Sequence, residues 1–188
     1  ENFLQPGQSI VTLAHLFKQY LGTSPKTTLE RLPSDKKRIA YLAEATTDIT
    51  GLKAFPQYLT ILFEIDSLIL NDDRHLNNIA VIEQKGTFDY CPIFDQGAGL
   101  LSNTQISRMD IAPRALASAL RARPFNTTFN RQVKAIQGLY GQQLHIQRFA
   151  SNELIEMLQP LLLYYPSRDR GIITERVCET VLSRQKLF

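Results

Sequence analysis

The sequence has no tryptophan, only two cysteines and no long uninterrupted run of apolar residues. Two cysteines cannot build a disulfide framework, which favours a reducing compartment such as the cytoplasm. The longest mostly apolar stretch, residues 58–70, is interrupted by Glu64 and Asp66, so it does not predict a membrane-spanning helix. No signal peptide is recognisable, and we expect a soluble cytoplasmic protein that makes no membrane contact.

A large excess of one charge is also lacking. The 21 Lys and Arg residues exceed the 18 Asp and Glu residues by a net charge of +3, which is too small to require a nucleic-acid partner. We expect any contact with nucleic acid to be indirect. The length of 188 residues suits one domain or one lobe of a larger protein, and the first residue, Glu1, indicates a fragment or a processed product.

Helical patterns are present along most of the chain. Ser9 and Ser34 are placed to cap helices, a loop is predicted at residues 23–26 and a turn at 46–50, and an apolar helix over residues 56–69 has the composition of a central helix. Four later helices are predicted near Pro113–Ala122, Arg131–Tyr140, Asn152–Tyr164 and Arg168–Arg184. The predicted fold class is mainly α, with one small β-hairpin after the central helix.

The hairpin is predicted from two strand-like segments, residues 79–83 and 88–94, joined by four residues that include a glycine. If residue 83 faces residue 88, then Asn78 and Asp95 emerge at the same open end of the hairpin. Asn78 directly precedes the first strand, and Asp95 directly follows the second.

The polar loop that leads into this open end is a feature that packing does not explain. In "LILNDDRHLNNIAVI", residues 68–82, a polar segment separates two apolar ones, and Asp73 lies five residues before Asn78. An Asp, an Asn and a second Asp, Asp95, therefore converge on one opening. Their oxygens are hard ligands that suit Mg²⁺ bound together with phosphate groups, and an Asp that binds no metal can accept the proton of a hydroxyl.

These residues resemble a known family. The segments "NDDRHLNN" and "PIFDQG" have the spacing of a protein-kinase catalytic loop and its metal-binding Asp-Phe-Gly segment. They are most similar to the HipA-like bacterial serine/threonine kinases, including the CtkA-like branch, over residues 63–101. Asn71 stands where ordinary eukaryotic-type kinases have His. The pattern Asp-Arg-His-x-x-Asn is shared with the phosphatidylinositol kinases of the same superfamily.

The resemblance implies roles for the loop residues. Asp73 would be the catalytic base for transfer of the γ-phosphate of ATP to a Ser or Thr hydroxyl of a protein substrate. Arg74 and His75 would complete the catalytic loop, shaping it and touching phosphate or the Asp95 segment.

The same resemblance implies the cofactor site. Asn78 and Asp95 would hold Mg²⁺ as metal ligands. Gly97 would let the metal-binding loop turn and so complete the site for Mg²⁺ and ATP.

Partners also follow from the resemblance. It assigns residues 1–188 to the helical C-terminal lobe of a protein-kinase-like fold, whose β-hairpin carries the metal site. A nucleotide lobe needs a Gly-rich loop and a Lys, but Gly7, Gly22 and Gly51 stand alone, so we expect an N-terminal lobe to be supplied in cis or in trans. A toxin–antitoxin setting, with an antitoxin as a partner, is implied as well.

The sequence leaves other functions open. A lipid or small-molecule kinase lobe shares the loop pattern, although only Arg108 and Arg114 follow Asp95 closely, fewer cations than a lipid headgroup site is expected to carry. A non-catalytic interaction module that retains the kinase-lobe fold is a third alternative. Asp and Asn are also common loop residues that satisfy backbone donors.

Other polar residues near the loop have simpler interpretations. Leu76 occupies the position at which an EF-hand needs Gly, which excludes that calcium site. Asp66 is expected to brace backbone donors of the loop. Arg121 and Arg123 fit a grip on an acidic substrate or, as the more common case, a solvated helix end.

Overall fold

The computed structural model describes residues 3–188 and is mainly helical, as predicted. The helices are α1 (Leu13–Leu21), α2 (Pro25–Arg31), α3 (Asp35–Thr50), α4 (Phe55–Ile69), α5 (Pro113–Ala119), α6 (Phe129–Tyr140), α7 (Ser151–Leu162) and α8 (Ser167–Arg184), followed by a 3-10 turn at Gln185–Leu187. The strands are β1 (Ser9–Thr12), β2 (Ala80–Gln84), β3 (Thr87–Tyr90), β4 (Arg121–Ala122) and β5 (Thr127–Thr128). Within residues 3–188, no helix has the length and apolarity that crossing a membrane requires.

Helix α4 is central, as its apolar composition predicted. It begins with a proline in the first turn and packs against α3, α6 and α8. Leu59, Leu62 and Phe63 from α4 lie in the main core, together with apolar residues of α1, α3, α6 and β2. Burying such a side chain stabilises the fold by about 1.5–3 kcal/mol. The loop that follows α4 therefore begins at the end of a helix that is held in place by core packing.

The helices before α4 differ from the prediction at two places. The expected loop at residues 23–26 contains the start of α2, because Pro25 suits the first turn of a helix. The expected turn at residues 46–50 is the end of α3. There the Thr47 and Thr50 hydroxyls donate back to carbonyl oxygens four residues earlier, at 2.8 and 2.6 Å, so these threonines remain helical. The predicted cap of α3, Ser34, is confirmed.

The predicted helix cap at Ser9 is wrong, because Ser9–Thr12 forms strand β1. This strand pairs antiparallel with β2, with Ile10 opposite Ile82, and the sheet order is β1-β2-β3. Helix α1 begins only after it, where the Thr12 side chain accepts from the His15 backbone N–H. The small hairpin is thus part of a three-stranded sheet.

The predicted pairing of Glu83 with Phe88 across the hairpin is confirmed. The turn itself has two residues, Lys85 and Gly86, with φ of 52° and 79°. Two positive φ values in succession are typical of the tight turn that fits strand twist, and the glycine adopts that conformation without strain. Strand β3 ends at Tyr90, so the predicted extension to residue 94 is wrong.

Helix α5 ends at Ala119, earlier than the predicted boundary at residue 122. Arg121 and Ala122 instead pair with Thr128 and Thr127 as strands β4 and β5. The connecting residues 123–126, here called the β4–β5 loop, reach back towards the loop after α4.

A buried carboxylate fixes the segment after α6 to α4. Glu64 is fully buried and accepts from the side-chain amide of Gln137 at 2.6 Å. It also accepts from the backbone N–H groups of Gln143 and Leu144, at 3.2 and 2.7 Å. Both oxygens of the Glu64 carboxylate therefore accept hydrogen bonds that hold the segment after α6 against α4.

We predict that Glu64→Gln destabilises the fold by about 1–3 kcal/mol, because the amide nitrogen cannot accept and leaves a buried donor unpaired. Urea unfolding of both proteins measures the difference. The control Glu44→Gln changes an exposed carboxylate of α3 and should stay within about 0.5 kcal/mol of the unsubstituted chain. Equal effects of the two substitutions would contradict the role given to Glu64.

Candidate active site

The loop between α4 and β2, residues 71–78, is called the Asp73 loop below. It starts after Leu70, which ends α4 with φ of 55° in the left-handed region, a rare conformation for a bulky residue. Its far end is held by α1, whose first N–H groups, from Leu13 and Ala14, donate to the carbonyl oxygens of Ile79 and Leu76 at 2.8 and 3.3 Å. Strained backbone of this kind persists where the surroundings determine it strongly, as at functional sites.

A buried ion pair lies beneath the Asp73 loop. The exposed fractions of Arg74 and Asp66 are 1% and 4%. The Nε and Nη2 atoms of Arg74 donate to the two carboxylate oxygens of Asp66 at 2.8 and 2.9 Å. Burial raises the pKa of the Asp66 carboxyl, and the hydrogen bonds from Arg74 and Asn71 act in the opposite direction. Asp66 therefore braces the loop through side-chain donors, where the sequence had suggested backbone donors.

The third nitrogen of the Arg74 fork joins the two ends of the hairpin. Nη1 donates to the carbonyl oxygen of Asn78 at 2.8 Å and to that of Phe94 at 2.6 Å. One atom thus binds the residue that leads into β2 and the residue that precedes Asp95. Of the two contacts expected for Arg74, with phosphate or with the Asp95 segment, the structure has the second. Its guanidinium is buried under the loop.

Asn71 makes a second connection between the same segments. Its Nδ2 donates to Asp66 Oδ1 at 2.9 Å and to the Asp95 carbonyl at 3.2 Å. Asp95 has φ of 57°, and its side chain is exposed. Asn71 was not among the predicted site residues. Its position two residues before Asp73, where ordinary eukaryotic-type kinases have His, was the signal that could have found it.

Asp73 lies at the surface of the loop, and 51% of its side chain is exposed. Its carbonyl oxygen accepts from the backbone N–H of His75 at 2.8 Å and from Nδ2 of Asn78 at 3.2 Å. One carboxylate oxygen is 3.2 Å from Nε of Arg123, and the other is 3.9 Å from Nε2 of His75. The backbone of Asp73 is fixed while its carboxylate remains accessible.

Arg123 reaches this carboxylate from the β4–β5 loop, fifty residues further along the chain. Its backbone N–H also donates to the Asp72 carbonyl at 3.0 Å. Arg123 thus lies in a loop and not at a helix end, while its side chain is largely solvated, as the more common interpretation of the sequence expected. Next to this contact, burial and the negative charge of Asp73 raise the pKa of the Asp72 carboxyl.

The candidate metal ligands at the open end of the hairpin are the Asn78 side-chain amide and the Asp95 carboxylate. Since Nδ2 of Asn78 is bonded to the Asp73 carbonyl, its Oδ1 is the atom left for a cation. The Asp95 carboxylate forms no ion pair within residues 3–188. The described part of the chain has no group of three His, Cys, Asp or Glu side chains that could hold a metal alone. Two oxygen ligands fit Mg²⁺ when phosphate and water supply the others.

A second glycine of the Asp95 loop, Gly99, lies close to its neighbours. A Cβ at Gly99 would lie 3.0 Å from the Gln96 carbonyl oxygen and 3.1 Å from Ile69, which is tighter than most packing contacts and would require these neighbours to shift. At Gly97, where the resemblance implies the turn, the nearest atom would be an Asp95 carboxylate oxygen at 3.8 Å, which is ordinary contact. Gly97 is exposed and lies beside the Asp95 carboxylate.

Comparisons of the chain with protein-family models, with curated proteins and with solved structures gave no match. The geometry of the site and the sequence pattern of its two loops are therefore the grounds for a proposed function.

We predict that Arg74→Met destabilises the fold by about 3–5 kcal/mol, because it leaves Asp66 buried without its partner. The loss of Arg74 raises the pKa of Asp66 further above that of an unfolded carboxyl, so the penalty should grow as pH rises from the unfolded pKa towards the raised one and shrink as pH falls. The two proteins are compared at about pH 5 and at about pH 8.

Urea unfolding at both pH values measures the penalty. Arg108→Met, which breaks an exposed pair with Asp110, is the control and should cost far less stability than Arg74→Met. A penalty for Arg74→Met that is small, or larger at the lower pH, would contradict the assignment of a buried ionised pair.

Proposed function

We propose that this chain is the C-terminal, catalytic lobe of a HipA-like kinase, which transfers the γ-phosphate of ATP to a Ser or Thr hydroxyl of a protein. The observation that carries the proposal is the buried network of Arg74, Asp66 and Asn71. It ties the Asp73 loop to the Asp95 segment. It leaves both carboxylates exposed, that of Asp73 before the hairpin and that of Asp95 after it. A buried scaffold that positions exposed reactive groups is the arrangement a catalytic site requires.

Asp73 has the properties of the base in this proposal. Its carboxylate is accessible, and the hydroxyl proton of the acceptor would pass to it as the acceptor oxygen bonds to the γ-phosphorus and the bond to ADP breaks. Asn78 and Asp95 would hold Mg²⁺, which when bound neutralises phosphate charge. His75, 3.9 Å from the Asp73 carboxylate, would help to orient it.

The remaining parts of such a kinase lie outside the described site. A second lobe, supplied in cis or in trans, would bring the phosphate-covering loop and the lysine of the nucleotide site. By the resemblance, the setting would be the bacterial cytoplasm, with a protein substrate and an antitoxin as partners.

The described surface counts against the lipid kinase alternative. Arg108 and Arg114 are the cations that follow Asp95 closely in the sequence. Arg108 is paired with Asp110 at 2.6 Å, and Arg114 with Glu179 at 3.1 Å. Both arginines are exposed and their pairs are therefore weak, so the pairing decides little; what counts is that two cations are fewer than a lipid headgroup site is expected to carry. We therefore favour a protein acceptor.

We predict that Asp73→Asn, in the full-length protein that carries this lobe, lowers phosphotransfer by about 10²–10⁴-fold, because the amide cannot accept the hydroxyl proton. The assay incubates the protein with labelled ATP, Mg²⁺ and a cell lysate and identifies what becomes labelled.

The matched control is Asp72→Asn, which changes the neighbouring carboxylate and should retain most of the activity. Activity of Asp73→Asn near that of the unsubstituted protein would remove Asp73 from this role. Absence of labelling in the unsubstituted protein, with and without the second lobe, would favour the non-catalytic interaction module.

A further inference from the structure

A groove of about 690 Å³ lies beside the Asp73 loop. Its walls are α2, the second half of the Asp73 loop from His75, and the β4–β5 loop. The volume lies within the range of ligand sites, which is about 300–1,000 Å³. The groove is on the same side as the Asp73–Arg123 ion pair, since both His75 and Arg123 contribute to its walls.

Cations predominate among the charged side chains of the groove. Three are positive, Lys26, Arg38 and Arg123, and one is negative, Glu30. The Arg38 guanidinium is engaged, because it donates to Asp35 at 3.1 Å and to backbone carbonyls of residues 29 and 32. Lys26 and Glu30 are 3.9 Å apart and largely exposed, which makes a weak pair. Lys26 and Arg123 are the cations able to turn to a ligand.

Arg123 connects the groove to the candidate base. Its side chain is 64% exposed, and its Nε is 3.2 Å from the Asp73 carboxylate. An exposed ion pair is weak and exchanges readily for another. A carboxylate that enters the groove can bind the planar guanidinium through two parallel hydrogen bonds, so it can replace Asp73 as the partner of Arg123.

We propose that this groove binds the acceptor segment of the substrate protein and that Arg123, assisted by Lys26, selects segments with an Asp or Glu next to the acceptor hydroxyl. The substrate carboxylate takes over Arg123, and Asp73 is then free to accept the hydroxyl proton. The selection of acidic acceptor segments rests on the proposed kinase function. The preference of the groove for acidic peptides depends only on residues of this chain and can be measured without phosphotransfer.

The test is a titration of the isotope-labelled 188-residue chain, followed by NMR, with two peptides. One is Ac-Ala-Ala-Ser-Glu-Ala-Ala-NH₂, and the other has Gln in place of Glu. We expect the acidic peptide to bind at least about threefold more tightly, as one charge-assisted contact at a partly exposed site supports. The shifts should concentrate at Lys26, His75 and Arg123.

Variants identify the residue responsible. Arg123→Gln should abolish the preference for the acidic peptide, and Lys26→Gln should reduce it less. Arg121→Gln is the matched control, because Arg121 is an exposed cation near the same loop that does not line the groove. The amide spectrum of each variant verifies that it is folded.

Equal binding of the two peptides, binding of neither, or shifts away from the groove would overturn the inference. Its failure is distinguishable from that of the kinase proposal. Labelled-ATP transfer by the full-length protein without a peptide preference would reject the inference alone. A preference for the acidic peptide without any phosphate transfer would support the anion-selective groove and reject the kinase function.

Discussion

One guanidinium holds the candidate site together. Arg74 is almost completely buried and uses its fork of donors on three segments, since two nitrogens bind the Asp66 carboxylate and the third binds the Asn78 and Phe94 carbonyls. A lysine has a single point charge and cannot reproduce this planar arrangement. The Asp73 loop, the start of β2 and the Asp95 segment are therefore joined through this one side chain, and Asn71 adds a second connection from the loop to the Asp95 carbonyl.

The rest of the site follows from that constraint. The Asp73 carboxylate takes no part in the buried network and lies at the surface, where Arg123 contacts it. Asn78 donates inwards to the Asp73 carbonyl, which leaves its amide oxygen for a cation. Supporting residues that fix the orientation of exposed ligands are a general property of metal and catalytic sites.

Local patterns in the sequence predicted most of the helices and the hairpin register, because apolar periodicity and a short connection with a glycine act over a few residues. The start of α2 and the last turn of α3 were missed. Contacts between distant segments were not predictable in this way. Strand β1 was mistaken for the start of a helix, since nothing in Ser9–Thr12 reveals its partner in β2. The Arg123–Asp73 pair joins residues fifty positions apart, and the close approach at Gly99 depends on Ile69 from α4. The Asp73, Asn78 and Asp95 set was predicted from the sequence because its spacing resembles that of a kinase catalytic loop and its metal-binding segment.

The central claim is that Asn78 and Asp95, at the open end of the hairpin, share one cation that also binds nucleotide phosphate beside Asp73. The most direct measurement is NMR line broadening in the isotope-labelled chain on addition of Mn²⁺ with ATP, where Mn²⁺ replaces Mg²⁺ as a paramagnetic probe. The account predicts that the amide signals of residues 73–78 and 95–97 broaden together. They should broaden at lower Mn²⁺ concentrations than the amide signals next to other carboxylates. Broadening of only one of these segments, or first around an exposed acidic residue such as Asp110, would contradict it.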